Sequence, residues 1–97
     1  MGLAIDEDKM TSRDTLHTAT RDGDKWVVSW LPGRRLGRNE ALAAMLLAWY
    51  VAIDASVTGS YWSLIVADAG ELGLTGQEAV AIIAAAPEPG EEGRAGD

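Results

Sequence analysis

The segment that most constrains this 97-residue chain is Ala41–Ile53, ALAAMLLAWYVAI, a run of thirteen residues without a polar side chain. A helix that is apolar on every side lies in a large core, in a membrane or against another chain. The run ends at Asp54, short of the roughly 18–20 residues that a transmembrane helix needs. A single domain of this length buries only about two thirds of its unfolded surface. We therefore expect a soluble protein in which a second polypeptide covers part of this helix.

Composition fits a folded domain, because 47% of the residues are hydrophobic and 24% are charged, close to globular averages. The chain has no cysteine, which excludes disulfides and thiolate metal sites. Its first ten residues, MGLAIDEDKM, lack the basic flank and apolar run of a secretory signal. We expect a cytoplasmic protein.

Charge is unevenly distributed along the chain. Residues 1–11 sum to −2, residues 12–40 to +2 and residues 41–97 to −7, which gives the net charge of −7. An acidic protein is repelled by phosphate backbones unless a local basic surface overcomes the net field. Nucleic acid is therefore an unfavoured partner.

Two β-rich segments, Asp14–Thr20 and Lys25–Leu31, flank an Asp-Gly pair, which predicts a β-hairpin. Trp26 and Trp30 lie four residues apart and therefore share one face of the second strand. Two isolated strands are marginal in water, so this face must pack on the helices or on another chain.

The hairpin register has two solutions. A two-residue turn would pair Thr18 with Val27, whereas a three-residue loop with Gly23 in the left-handed conformation would pair Thr18 with Trp26. We favour the three-residue loop because it segregates apolar side chains better.

Pro32 and Gly33 are predicted to end the second strand. The first helix then begins with Gly37 as N-cap and Glu40 three residues later, a weak capping box, and runs to about Ala55.

The helical wheel of this first helix has three sides, and none is fully polar. They are a small side of Ala41, Ala44, Ala48, Ala52 and Ala55, a bulky side of Leu42, Met45, Leu46, Trp49 and Ile53, and a third side of Ala43, Leu47, Tyr50, Val51 and Asp54. The third side has no obvious partner within the chain. We expect Leu47, Tyr50 and Val51 to contact another polypeptide.

A second, amphipathic helix is predicted over residues 61–72, with Thr58 or Ser60 as its N-cap and Gly73 as a left-handed C-cap. Thr75 opens a third helix through a T-x-x-E capping box.

The resulting prediction is an α+β fold, a β-hairpin followed by three α-helices. It comprises a flexible segment over residues 1–12, one ββααα domain over residues 13–86, and a disordered acidic tail over residues 87–97, which is rich in Pro, Gly and Glu. We expect this domain to form a homodimer.

Two stretches of the chain resemble a known group of proteins. Trp26–Ala41, WVVSWLPGRRLGRNEA, and Ala69–Thr75, AGELGLT, are similar to small uncharacterised proteins encoded by actinobacterial phages and prophages. The resemblance spans roughly residues 15–86 and implies an accessory protein of a mobile element, acting in the cytoplasm of an actinobacterial host. It carries no activity or catalytic residue, and the chain departs from it at Gly37, where the group tends to have a hydroxyl residue.

Catalytic chemistry has little support in the sequence. His17 is the single histidine, and a general base needs a positioned partner. No serine lies in a G-x-S-x-G motif and the glycines form no phosphate-binding loop. We expect a protein that is not an enzyme and uses no metal or other cofactor.

An arginine-rich loop over residues 34–38 is the remaining polar candidate. In one interpretation its arginines are solvated and pair with Glu40 or with the acidic tail. In the other they dock an acidic partner while a tryptophan provides an aromatic anchor, because Trp and Arg dominate interface hot spots.

The predicted function is that of a non-enzymatic phage or prophage accessory protein that acts by self-association, by binding a host protein, or by both. The alternatives are a nucleic-acid-associated regulator that uses the arginine loop, and an acidic protein that mimics DNA. The predicted partner-binding residues are Trp26, Trp30, Arg34, Arg35, Arg38, Leu47, Tyr50 and Val51.

Overall fold

A computed structural model of the chain describes residues 3–12, 15 and 17–86. It confirms the α+β class, with a five-stranded antiparallel sheet followed by three helices. The acidic tail over residues 87–97 lies outside the described residues. The elements are β1 (Leu3–Ile5), β2 (Lys9–Ser12), β3 (Ala19–Asp22), β4 (Lys25–Val28), β5 (Leu31–Leu36), α1 (Arg38–Ile53), α2 (Trp62–Glu71) and α3 (Gly76–Ala85).

The sheet is larger than the predicted hairpin, because residues expected to be flexible form its first two strands. Leu3 pairs with Ser12 across β1 and β2, and Met10 pairs with Ala19 across β2 and β3. Met10 is completely buried in the hydrophobic core, so its burial holds this segment on the domain. The predicted boundary at residue 13 is therefore wrong, and the sheet begins at Leu3.

A two-residue turn joins β3 to β4. Asp22 pairs with Lys25, so Gly23 and Asp24 are the central residues of the turn. Gly23 has a φ of +68°, whereas no non-glycine residue among those described has a positive φ. A positive φ at the first central position alone is the type II′ arrangement, whose twist matches that of the strands.

Both predicted registers are wrong as a result. Val27 pairs with Thr20, while the Ser29 amide lies opposite Thr18 and donates to its carbonyl oxygen at 2.8 Å. This register places Ala19 opposite Val28, and both side chains are completely buried. The register therefore follows from burial of these small and branched residues together.

The strand that follows is also longer than predicted. Pro32 and Gly33 lie inside β5 rather than ending β4, and a register shift interrupts the pairing of β4 with β5. β5 is at the edge of the sheet, where the missing N–H of proline removes no ladder hydrogen bond. Arg34 and Arg35 therefore lie on an edge strand and not in a loop.

Helix α1 lies at the centre of the molecule, where it packs on β2, β4 and β5 and against both other helices. Gly37 is its N-cap as predicted, and the Gly37 amide donates to Glu40 Oε1 at 2.9 Å. Trp30 Nε1 donates to the Ala44 carbonyl oxygen at 3.1 Å in the core, which fastens the sheet to the helix. No helix within the described residues has the length and apolar character needed to cross a bilayer.

The two short helices meet at a well-formed corner. Gly73 has a φ of +74°, and the amides of Leu74 and Gly73 donate to the carbonyl oxygens of Ala69 and Gly70 at 2.9 and 3.1 Å. These two bonds are a Schellman motif, which confirms Gly73 as the predicted C-cap. The predicted N-caps of α2 are wrong, because Tyr61 occupies that position without a side-chain hydrogen bond.

The capping box of α3 is confirmed. Thr75 Oγ1 accepts the Glu78 amide at 3.0 Å, and Glu78 Oε1 accepts the Thr75 amide at 2.9 Å. Both bonds satisfy amides that the first turn of a helix leaves without partners.

Truncation of Met10 tests whether the first strands belong to the fold. Met10→Ala should lower the free energy of unfolding by about 2–5 kcal/mol, because it opens a cavity under α1. Ile5→Ala is the control, and its cost should stay below about 1 kcal/mol, since Ile5 is 42% exposed. Urea denaturation followed by circular dichroism measures both, and equal small effects would contradict the placement of β2.

Two tryptophans differ in one hydrogen bond. Trp30 Nε1 has an acceptor, whereas Trp49 Nε1 is buried and has no hydrogen-bond partner within the described part of the chain. Trp30→Phe removes this hydrogen bond and part of a completely buried ring, and should lower the free energy of unfolding by roughly 1–3 kcal/mol. Trp49→Phe removes an unsatisfied donor and should leave the free energy of unfolding unchanged or raise it. Urea denaturation measures both variants, and a loss of stability in Trp49→Phe as large as that in Trp30→Phe would contradict the assignment of Trp49 Nε1 as unsatisfied.

Candidate partner-binding surface

The side of α1 that was expected to contact a partner is covered by the chain itself. Leu47 is completely buried, Tyr50 is buried and Val51 is half-buried. Tyr50 stacks on Tyr61, with 5.6 Å between the ring centroids. The expectation that Leu47 and Tyr50 contact a second polypeptide is therefore wrong, because the chain itself encloses both side chains, while contact through half-buried Val51 stays a prediction.

The two hairpin tryptophans are also unavailable as anchors. Trp26 and Trp30 are both buried in the hydrophobic core. A side chain that already packs within its own chain cannot insert into a partner without unfolding its surroundings. The predicted aromatic anchor is therefore not present on the surface.

The three arginines have three separate sets of neighbours. Arg34 Nη1 donates to the carbonyl oxygen of Leu72, the C-cap of α2, at 2.8 Å. Arg35 Nη2 lies 3.0 Å from Asp22 Oδ2 in an exposed ion pair, an arrangement that contributes little to stability. Arg38 lines an open groove of about 680 Å³ at the end of the sheet. These arginines therefore do not act as one loop, and among the described contacts none of them pairs with Glu40. Their predicted pairing with the acidic tail lies outside the described residues.

The groove beside Arg38 has mixed charge. Its basic side chains come from Arg21 and Arg38, and its carboxylates come from Asp6, Glu7 and Asp24. Arg21 Nε also donates to the Gly23 carbonyl oxygen at 2.7 Å. With both signs of charge in its lining, the groove offers no argument for an anion or a cation as its ligand.

The bulky side of α1 carries a row of partly open apolar side chains that ends in exposed Ile53. Leu42, Leu46, Trp49 and Ile53 are spaced four, three and four residues apart and therefore lie along one face of the helix. The first three are half-buried, and Ile53 is 46% exposed. We call these four residues the α1 stripe.

A groove of about 310 Å³ runs between α2 and the first half of the α1 stripe, Leu42 and Leu46. Its floor is formed by Leu42, Ala43 and Leu46 of α1, and its other wall carries Asp68 and Glu71 of α2. Leu64, which is 45% exposed, precedes Asp68 by four residues and so lies on the same side of α2. The α1–α2 groove therefore combines an apolar floor with an acidic wall.

The acidic wall is electrostatically unfavourable in the free protein. Burial raises the pKa of the Asp68 carboxyl, and the nearby charge of Glu71 raises it further. Burial also raises the pKa of the Tyr50 phenol, with smaller contributions from Asp68 and Tyr61. Among the described residues, no lysine or arginine forms an ion pair with Asp68 or Glu71. The groove thus contains a partly buried carboxylate that lacks a compensating cation within the described chain.

His17 lies just before β3 and not on this surface. It is buried, and its Nδ1 lies 2.9 Å from Ser29 Oγ, which also accepts the Thr18 amide at 2.9 Å. Because the Ser29 hydroxyl accepts a backbone amide, it can donate its own proton to an unprotonated Nδ1. These bonds link the ends of two strands across a residue separation of twelve.

Neither metal geometry nor comparison with known proteins assigns a function to the chain. Within residues 3–12, 15 and 17–86, no three His, Asp or Glu side chains are grouped so that they could hold a metal ion. No protein-family model, curated protein or solved structure matches the sequence or the fold.

Removal of the Asp68 charge tests the electrostatic description. The folded-state pKa of Asp68 is raised, so the fold favours the protonated form, and this contribution to stability is lost as pH rises through that pKa. Asp68→Asn should therefore raise Tm at pH 7, and the gain should shrink as pH falls and wild-type Asp68 becomes protonated. Glu71→Gln should give a smaller gain of the same sign, and a lower Tm for Asp68→Asn at pH 7 would contradict the assignment.

Proposed function

We propose that this protein is a non-enzymatic accessory factor of phage or prophage origin that acts through protein–protein contact at the α1 stripe. The observation that carries this proposal is the open apolar stripe on the longest helix of the fold. Support for the origin comes from the resemblance of residues 26–41 and 69–75 to actinobacterial phage and prophage proteins.

The energetics of the stripe favour contact with another surface. Full burial of a Leu, Ile or Trp side chain stabilises by about 1.5–3 kcal/mol, and part of that gain is still unrealised at each stripe position. Exposed apolar area in a continuous row is typical of interaction sites, whereas scattered apolar side chains are not. The stripe therefore provides a binding surface. Its exposed apolar area lowers the solubility of the free protein, and contact with a partner would cover that area.

The area that a stable interface buries indicates that the contact extends beyond the α1 stripe. A stable interface buries about 800 Å² on each partner, which is more than four partly covered side chains supply. Leu64 extends the apolar surface onto α2, and the acidic wall of the α1–α2 groove provides a polar rim. The stripe with these neighbours has the apolar centre and polar edge that interfaces commonly show.

The alternatives have less support. The neighbours of Arg34, Arg35 and Arg38 differ, so these side chains offer no argument for nucleic-acid binding. Mimicry of DNA would need a row of carboxylates at phosphate spacing, and the described acidic wall has only Asp68 and Glu71. Neither alternative explains an apolar stripe.

The proposal is tested by measuring association of the intact protein. Sedimentation equilibrium over a range of concentrations detects self-association, and affinity capture from an actinobacterial lysate detects another partner. Ile53→Glu places a charge on the stripe at an exposed position and should abolish whichever association is found. Ile5→Glu is the matched control, because Ile5 is similarly exposed on β1, and it should leave association unchanged.

Two outcomes of these measurements would contradict the proposal. A monomer at all concentrations that retains no lysate protein would overturn it. Association that persists in Ile53→Glu, with circular dichroism showing an intact fold, would move the contact away from the stripe.

A further inference from the structure

We propose that the α1–α2 groove binds a basic amphipathic helix of a different protein, with apolar side chains on the α1 stripe and Lys or Arg side chains paired with Asp68 and Glu71. This inference rests on the proposed function and specifies the chemistry of its partner.

The apolar floor sets the shape of the partner. From Leu42 to Ile53 the stripe extends eleven residues, which is about 16 Å along the helix axis. An amphipathic helix of three turns has the same length, and it anchors in a groove through apolar residues at i, i+4 and i+7. An extended peptide would need an open strand edge instead, and the stripe lies on a helix.

The acidic wall sets the charge of the partner. Asp68 and Glu71 are three residues apart on α2, so both carboxylates are on one side of that helix. They line the same groove as Leu42 and Leu46, and within the described residues no basic side chain pairs with either. Long basic side chains can lay their methylene groups over an apolar floor while the charged end reaches a carboxylate. Lys or Arg therefore complements both parts of the groove.

A second copy of this chain complements the groove poorly. If two α1 helices packed antiparallel around a two-fold axis, the end of the groove beside Asn39 would meet the C-terminal end of the other α1. The last turn of α1 contains no basic residue, and Asp54 follows it. Each chain also has a net charge of −7, which opposes association. The partner that pairs with Asp68 is therefore a different polypeptide.

Partly buried Asp68 gives this binding a pH dependence. The groups that face it are Glu71 on its own helix and Tyr50 on α1, and neither supplies a positive charge at neutral pH. A partner cation would favour the ionised carboxylate and lower its pKa. Binding should consequently weaken as pH falls and Asp68 takes up a proton in the free protein.

The experiment uses two synthetic helical peptides that share the same leucines at i, i+4, i+7 and i+11. One has lysines flanking the leucines, and the other has glutamates at the same positions. Titration calorimetry with the intact protein gives the affinities, and amide chemical-shift changes in NMR spectra locate the contact. The lysine peptide should bind with shifts along the α1 stripe and α2, at least about tenfold more tightly than the glutamate peptide.

Matched variants separate a local ion pair from general attraction to an acidic protein. The Asp68→Asn/Glu71→Gln double variant should lose most of the preference for the lysine peptide. Its control, Glu7→Gln/Asp24→Asn, removes the same charge from the turns of the sheet and should keep that preference. Equal loss in both double variants would overturn the inference, because it would show only net-charge attraction.

The results also distinguish this inference from the proposed function. Equal affinity for the two peptides would overturn the inference of a basic partner and leave contact at the stripe intact. The same conclusion would follow if neither peptide binds while Ile53→Glu still abolishes an observed association. Self-association of wild-type protein that the lysine peptide cannot displace would identify a second copy as the occupant and overturn the inference. No peptide binding and no association of any kind would overturn both.

Discussion

Burial of α1 is the constraint on which the rest of the structure depends. The helix contains sixteen residues, and those between positions 41 and 53 include no charged side chain. In water such a helix must be covered along most of its circumference. The sheet covers one side and α2 with α3 cover others. Three strands, β2, β4 and β5, pack on the helix, so a two-stranded hairpin alone would not provide this cover.

Small side chains on α1 allow the sheet to approach closely. Ala41, Ala44 and Ala48 are all buried, and the indole of Trp30 reaches the backbone of Ala44 to donate a hydrogen bond. The small side chains on this side of α1 leave the Ala44 carbonyl oxygen accessible to the indole as a second donor. This part of the alanine side therefore packs on the sheet region of the same chain.

Local signals in the sequence predicted the helical part of the fold well. Gly37, Gly73 and Thr75 each occupy the cap position expected for them, because caps depend on a few adjacent residues. The first two strands were missed, since they are short, and Met10 is their only completely buried side chain. The hairpin register was missed because Gly23 can occupy either central position of a turn, and the choice depends on which side chains the helix buries.

The sequence singled out α1, but it did not show which side of the helix stays exposed. Because α1 is apolar all round, its sequence has no polar face from which the solvent side could be identified. Only the positions of the sheet and of α2 show that Leu47 is enclosed while Ile53 is not. The carboxylate of Asp68 could not be linked to the stripe from sequence either, since the pairing depends on how two antiparallel helices align.

The order of strands has a consequence for synthesis of this protein. Every strand pairs with its neighbour in the sequence, so the strands can pair before α1 has left the ribosome. Until then the nascent sheet presents Met10, Val28 and Trp30 to water, and apolar surfaces of this kind promote aggregation. Packing of α1 on the nascent sheet therefore covers these side chains, although α1 itself keeps one side partly exposed in the folded protein.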